Sequence, residues 1–387
     1  MKLKTIKQLK NWQGKRVLLR LDLNVPIQQR KINPKDTWRL EKVLPTINFL
    51  LKNKARVIIV AHLGRPEGKV VKDLSLLPVA KYLEKILKHK VTFWAGSVED
   101  NLDKSQSLAD GDLVILENIR FHPREQKNCQ RLAKKMAKFA DIYVNDAFGN
   151  MHRQDTSMLT ITKFLPSYAG FLVEEEIKNL SEVLKTKKNL AVILGGAKVH
   201  TKIALIENFI KSADAIFLGG ILANIFLVSR GHDFMLPQIA KSEFVIAKKI
   251  DQKKIILPLD LIFAKKLNAK VYKTAKVSEK IKDHLALDIG PDTVKSYLTA
   301  LKKEKIIIWN GPLGYFENQK ITVNSQDFAK GLARLKAKVI VGGGETVAML
   351  NELGLLKKFT FVSTGGGAMI TFLEGKKMPA LEALLKK

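Results

Sequence analysis

Two lysines four residues apart, Lys198 and Lys202, follow a glycine pair in the stretch LGGAKVHTKI. On a helix, residues four apart project from the same side, so both ammonium groups would lie close to the backbone N–H groups of Gly196 and Ala197. That combination suits the oligophosphate of a nucleotide. A pair of solvated helix lysines would show the same spacing, and one glycine pair after a strand also describes a plain tight turn. The phosphate reading gains from repetition, because LGGILAN, WNGPLGYFE, VGGGETVA and STGGGAM have the same character. Glycine lets the backbone approach a ligand, and exposed amides with the helix dipole favour anions. Glu345 follows three glycines, where a carboxylate could hold Mg²⁺ beside phosphates or simply complement a helix N-terminus. None of these stretches matches G-x-x-x-x-G-K-[ST] or G-x-G-x-x-G, which argues against a P-loop protein and gives no clear dinucleotide signature.

The first half of the chain carries a different set. Asp22 and Asn24 stand in LDLNVP, His62 and Arg65 in AHLGRP, Arg120 and His122 in ENIRFHP, His152 and Arg153 in NDAFGNMHR, and Arg39 in DTWRL. A guanidinium fork matches carboxylate and phosphate oxygens two at a time. Each arginine or histidine alone reads equally well as a surface ion pair or a satisfied core residue. Their recurrence after successive apolar runs predicts a small acid carrying at least one phosphate.

Those runs are the elements that must position the set. RVLLRLDL, RVIIVAH, KVTFWAG, DLVILEN and DIYVNDAF are short and β-rich, with helical periodicity between them. Such alternation predicts a parallel sheet covered by helices, and ligands of open α/β sheets bind beyond the carboxyl ends of the strands. The pattern restarts with LAVILGG, AIFLGG, KIILPLD, AKVYKT, KIIIWNG, KVIVGGG and FTFVSTGGG. The expected fold is therefore α/β, with two doubly wound parallel-sheet domains, one per half. Pro166 and Gly170 punctuate the join, and Glu174, Glu175 and Glu176 suit the first turn of a connecting helix over about residues 171 to 186.

The totals agree. A chain of 387 residues exceeds the usual single core and favours two domains. It has no apolar run near the roughly 20 residues of a bilayer span and no secretory leader pattern, so no membrane partner is expected. Its one cysteine, Cys129, excludes an internal disulfide and a cysteine metal cluster, and a reducing cytoplasm is expected. The net charge of +30 comes from 67 basic against 37 acidic residues. It raises a nucleic-acid-associated protein as the alternative, but the lysines are spread along the whole chain without an aromatic-interleaved patch or a DNA- or RNA-binding signature. A generally basic surface accounts for them, and no specific nucleic acid is expected.

Taken together, RLDLNVP, AHLGRP, LENIRFHP, NDAFGNMHR, LGGAKVHTKI, DIGPDT, WNGPLGYFE, VGGGETVA and STGGGAMITFLEGK resemble the phosphoglycerate kinases over nearly the whole chain. The resemblance implies a phosphotransferase with a carboxyl group as acceptor. Its reaction is the reversible phosphoryl transfer between 1,3-bisphosphoglycerate and ADP that gives 3-phosphoglycerate and ATP. It further implies a cytoplasmic monomer that works by hinge-driven domain closure. Residues 1–170, with 373–387 returning to them, would bind the phosphoglycerate, and 171–372 would bind ATP or ADP with Mg²⁺. Carried over residue by residue, Asp22, Leu23, Asn24, Arg39, His62, Leu63, Gly64, Arg65, Arg120 and Arg153 stand at substrate positions, with Arg39 reaching the transferring phosphoryl group. Gly196, Ala197, Lys198, Lys202, Asn310, Glu317, Gly343, Gly344, Glu345 and Thr346 stand at nucleotide positions. Arg39, Lys198 and Lys202 are the implied catalytic residues, and Glu345 the implied metal ligand. The chain departs from the family pattern at Glu345, usually aspartate, at Ile221, usually a third glycine, and at His200 and Thr201 between the lysines.

Overall fold

The computed structural model describes residues 1–33, 37–196, 199–235, 241–250 and 253–386. Two compact units divide the chain. One comprises Met1–Lys178 with Lys376–Lys387, the other Asn179–Gly375.

The first unit opens with β1 (Arg16–Leu21), a small antiparallel hairpin of β2 (Ile27–Gln28) and β3 (Lys31–Ile32), α1 (Trp38–Lys42) and α2 (Leu44–Lys52). It continues through β4 (Arg56–Val60), α3 (Leu77–Leu87), β5 (Thr92–Trp94), β6 (Leu113–Leu116), α4 (Gln130–Ala137), β7 (Ile142–Asp146), β8 (Ser167–Ala169) and α5 (Phe171–Lys185). The strands form one parallel sheet in the order β5-β6-β4-β1-β7-β8. Side-chain alternation along β1 sends Val17, Leu19 and Leu21 into a core shared with Ile47, Leu50, Val79 and Leu83 of α2 and α3. Leu18 enters a second core with Leu132 and Met136 of α4 and with Tyr143. Both faces are covered, as near-continuous apolar strands require, and Arg20, of the same parity as Leu18, is carried into the interior with no exposure at all. The five strands expected from the sequence all join this sheet; Ser167–Ala169, too short and polar to announce itself, adds the sixth.

The second unit carries β9 (Leu190–Leu194), α6 (Val199–Phe209), β10 (Ala215–Leu218), α7 (Gly220–Ser229), β11 (Phe234–Met235), α8 (Lys241–Lys249) and β12 (Ile255–Ile256). After these come β13 (Asp260–Ala264), β14 (Lys273–Lys276), β15 (Ile281–Ile289), α9 (Pro291–Leu301) and β16 (Ile306–Asn310). The unit closes with α10 (Val323–Leu332), β17 (Lys338–Gly342), α11 (Gly344–Glu352), β18 (Phe361–Val362) and α12 (Gly367–Leu373). Its main sheet is again parallel and six-stranded, ordered β12-β10-β9-β16-β17-β18. One expectation is corrected. The AKVYKT stretch reaches only the first two residues of β14, which pairs antiparallel with β13 in a separate four-stranded sheet, β11-β15-β13-β14. Of its four residues only Ala275 is buried, and an edge strand with one wet face cannot sit in a sheet covered on both sides.

Buried aspartates on strands hold the starts of three helices. Asp146 accepts the Val173 N–H of α5 at 3.0 Å, Asp260 the Asp292 and Thr293 N–H groups of α9 at 3.1 and 2.8 Å, and Asp288 the Ser325 N–H of α10 at 3.1 Å. Each satisfies N–H groups of a first turn, which have no partner within the helix. The contact at Asp146 demands glycine next to it, since a Cβ on Gly170 would stand 2.3 Å from the Asp146 carboxyl carbon. The chain end belongs to the first unit: Ala380 of α13 (Pro379–Glu382) donates to the Met151 carbonyl, Leu384 accepts from Lys4, and Lys386 donates to Lys2.

Candidate active site

At the carboxyl edge of the first sheet, Asp22 follows β1 and lies buried beside Arg39 of α1, whose Nη1 is 3.2 Å from Asp22 Oδ2 and 3.5 Å from the Asn24 carbonyl. Burial by itself would raise the Asp22 carboxyl. Arg39, His62, Arg20 and the Asn24 N–H outweigh it and hold the carboxyl below its ordinary range. The Asn24 side chain accepts the Gly64 N–H at 3.0 Å, and the Gly64 carbonyl accepts Arg120 Nη1 at 2.8 Å. Arg120 Nη2 also reaches Asp155 at 3.5 Å, with both residues almost fully buried. His62 is buried and lies 3.1 Å from Arg20 through its Nδ1. Its burial, with Arg20 alongside, depresses protonation well below the usual histidine range despite the Asp22 carboxylate.

The structure thus brings Asp22, Leu23, Asn24, Arg39, His62, Leu63, Gly64 and Arg120 into one connected set. Arg65 follows Gly64, is exposed, and forms no ion pair among the described residues. Arg153 lies in the turn after β7 and is half-buried, its Nε shielded from solvent and without a hydrogen-bond partner. The same holds for Arg120 Nε, Asn150 Nδ2 and His152 Nδ1. His122 instead faces Glu99 at 3.6 Å. Burial, reinforced by Arg153, lowers the His152 pKa against the pull of Asp155, so a neutral imidazole joins a set of guanidinium donors.

Sequence reasoning passed over two organisers of this edge. Asn118 caps the turn after β6: its Oδ1 accepts from Leu63 and Arg120 at 3.3 and 3.1 Å, and its Nδ2 donates to the Leu63 and Leu74 carbonyls at 2.7 and 2.9 Å. An asparagine two residues after an apolar run, in LENIRFHP, was the available signal. The other is Arg20, whose sequence signal is a charge inside the apolar run of β1.

In the second unit, the loops after β9 and β10 are stitched to the end of β16 and the turn after it. Gly195 N–H donates to Asn310 O at 3.1 Å, Gly196 N–H to Pro312 O at 2.8 Å, and Gly220 N–H to Leu313 O at 2.7 Å. A Cβ on Gly195 would stand 2.0 Å from Pro312 O, so this glycine serves the approach of two loops to each other. Lys202 is almost fully buried on α6, and its Nζ donates to Asn310 O at 3.1 Å. Thr346, buried in α11, accepts the Gly311 N–H at 2.9 Å. Gly343 caps α11 with φ of 95°, and a Cβ on Gly344 would meet nothing within 4 Å. Glu345 is exposed in the first turn, and its Oε2 is 3.6 Å from the position a Cβ on Gly196 would take. Glu317 is exposed in the loop after β16, and Ile221 sits half-buried in the first turn of α7. Ala197 and Lys198 lie outside the described residues.

These residues fit a magnesium nucleotide. The described residues contain no cluster of three or more potential protein ligands, whereas Mg²⁺ is commonly held by one or two carboxylates together with substrate phosphates. Glu345, exposed beside a glycine loop and at a helix start, is a carboxylate of the kind such a site uses. No helix among the described residues is long and apolar enough to cross a membrane.

The profile of the family described as "Phosphoglycerate kinase" matches residues 6–376. The phosphoglycerate kinase of Pseudothermotoga lettingae is 40% identical over the full length of both chains, and that of Pelotomaculum thermopropionicum 37% identical over 99% of each. Among solved structures, the phosphoglycerate kinase of Coxiella burnetii superposes with a TM-score of 0.87 at 35% identity, covering 99% of this chain and 98% of that one. The enzyme of Pyrococcus horikoshii gives 0.88 at 30% identity with the same coverage. With matches of this extent in both sequence and structure, the chain belongs to the phosphoglycerate kinase family.

Proposed function

We propose that the chain catalyses reversible transfer of the acyl phosphate of 1,3-bisphosphoglycerate to ADP, giving 3-phosphoglycerate and ATP. The observation that carries this reading is the group of shielded, unpartnered donors at the carboxyl edge of the first sheet: Arg120 Nε, Arg153 Nε and Asn150 Nδ2. A buried polar group without a partner costs about 1–3 kcal/mol, and an anionic ligand arriving there relieves that cost. Arg65 and Arg39 add exposed and half-exposed guanidinium groups at the same edge, matching a substrate with one carboxylate and one phosphate.

A carboxylate needs no general base to attack a phosphoryl group, so the chain's own task is alignment and charge. Asp22 and Asn24 hold Arg39 and Gly64 in place on the acceptor side. On the nucleotide side the Gly343–Gly344 turn offers the start of α11, Lys202 supplies a cation close to Asn310, and Glu345 would hold Mg²⁺. Held there with the nucleotide, Mg²⁺ would supply positive charge against the phosphate oxygens. Lys198 is assigned a part in this charge by its position in the family motif, and Glu317 a contact with the ribose. The cytoplasm is the compartment we assign, given one free, half-buried cysteine and a family whose substrates are glycolytic.

A coupled assay with 3-phosphoglycerate and Mg·ATP tests the proposal. Turnover is expected; a folded protein that turns over neither this pair nor the reverse pair overturns it.

A further inference from the structure

A buried chain of polar groups lies behind His62 and has no part in the reaction as described so far. Arg20 is fully buried and, among the described residues, makes no direct ion pair with a carboxylate. Its Nε donates to Ser157 Oγ at 3.0 Å, its Nη1 to the Leu21 carbonyl, and its Nη2 lies 3.1 Å from His62 Nδ1. Ser157 Oγ in turn stands 2.5 Å from Oε1 of Glu125, whose Oε2 accepts the Ser157 N–H at 3.0 Å. Glu125 and Ser157 are also fully buried.

With Glu125 ionised, the direction of every hydrogen bond in this chain is fixed by chemistry. A guanidinium has donors only, so the Ser157 hydroxyl must accept from Arg20 and spend its own proton on Glu125. By the same rule His62 Nδ1 must be the bare, accepting nitrogen, and the ring proton resides on Nε2, which bonds to no described residue. We infer that Glu125 is a positioning residue: through Ser157 and Arg20 it holds His62 in the tautomer whose Nε2–H is directed to the anionic phosphoglycerate. This rests on the proposed function, since it assumes that His62 meets that substrate.

The groups facing Glu125 are Ser157, Arg20, Asp155 and Tyr143, the last donating its hydroxyl proton to the Ser157 carbonyl at 2.7 Å. Burial pushes the Glu125 carboxyl up to about 7 even though Ser157 and Arg20 favour its charged form, and Asp155 adds to the rise. At pH 8 the carboxylate form prevails, and the buried guanidinium has its counter-charge one hydroxyl away.

The test uses the full-length protein labelled with ¹⁵N, at pH 8, with the His62 signals assigned by His62→Gln. Two-bond ¹H–¹⁵N spectra report which ring nitrogen is protonated. In the wild type, His62 should carry its proton on Nε2, and that signal should move on adding 3-phosphoglycerate. Glu125→Gln removes the counter-charge that keeps Arg20 against His62, so the ring loses its fixed donor: a mixture of tautomers is expected, with KM for 3-phosphoglycerate raised about tenfold, by analogy with losing the outer partner of a metal-bound imidazole, and kcat changed far less. Ser157→Ala, which removes the connecting hydroxyl, should reproduce the tautomer change. A His62 proton on Nδ1 in the wild type overturns the inference whether or not the variants fold. So do folded variants with an unchanged His62 spectrum and KM. A His62 spectrum indifferent to 3-phosphoglycerate in a protein that turns over defeats this inference alone, whereas indifference with no turnover defeats the proposed function as well.

Discussion

Replacing Lys202 by alanine separates a catalytic charge from a structural one. The lysine is almost fully buried and its Nζ donates to Asn310 O, which also accepts the Gly195 N–H, each at 3.1 Å. Truncation therefore leaves Asn310 O with a donor; the bond to Asn310 is worth roughly 0.5–1.5 kcal/mol to the fold, to which the packing of the lysine stem adds. The reaction loses more. A preorganised cation or donor aimed at developing charge contributes roughly 2.7–4 kcal/mol in the transition state, and each 1.36 kcal/mol is about tenfold in rate. Turnover by Lys202→Ala in the coupled assay with saturating 3-phosphoglycerate and Mg·ATP should thus fall by about a hundredfold to a thousandfold, while the urea midpoint shifts only modestly. Lys202→Met, which keeps most of the stem, should be as inactive as the alanine variant. Near-normal turnover in either variant would refute the assignment, and a collapse of stability equal to the loss of activity would show that the charge is structural.

Two of the buried caps, Asp146 and Asp288, make stability fall with rising pH. Burial raises the Asp288 carboxyl to about 7, against the Ser325 hydroxyl and N–H donors, so the folded state retains a proton that the unfolded state has released. That contribution is fully present below about pH 4 and is lost as pH rises through about 7; from pH 6 to 8 it amounts to about 1.4 kcal/mol. The difference in urea stability between wild type and Asp288→Asn should follow this slope, and cancels the opposing slope of the depressed histidines; a flat difference would contradict it. Glu345→Gln should raise the Mg²⁺ concentration for half-maximal activity about tenfold or more, with Glu345→Asp restoring most of it; an unaltered Mg²⁺ curve would remove Glu345 from the metal's ligands. Direct transfer requires both substrates to meet, so the radius of gyration in solution scattering should fall only when both are bound, and no change would count against closure at α5.

Much of the candidate site was legible because strand ends are legible. A run such as RVIIVAH states through its apolar residues that it is buried on both sides, and the first polar residues after it must emerge at the sheet edge. His62, Arg120 and Lys202 were found that way. The contacts among those residues were not legible. Arg39 could be placed near a phosphoryl group by resemblance, but its salt bridge to Asp22 depends on how α1 lies against the end of β1.

By itself the sequence determined the two alternating β-rich and helical halves, the connecting helix and the order of the glycine and arginine stretches, since periodicity and turn residues report local burial. Only the tertiary structure decided that Lys273–Lys276 leaves the parallel sheet, that Gly195 is required by Pro312 rather than by a ligand, and that Arg20 reaches Ser157, 137 residues away, and His62, 42 residues away. The reason is geometric. Periodicity along a strand fixes which side chains turn inward, but register and strand order fix whom they meet, and these arise only when β1 settles between β4 and β7.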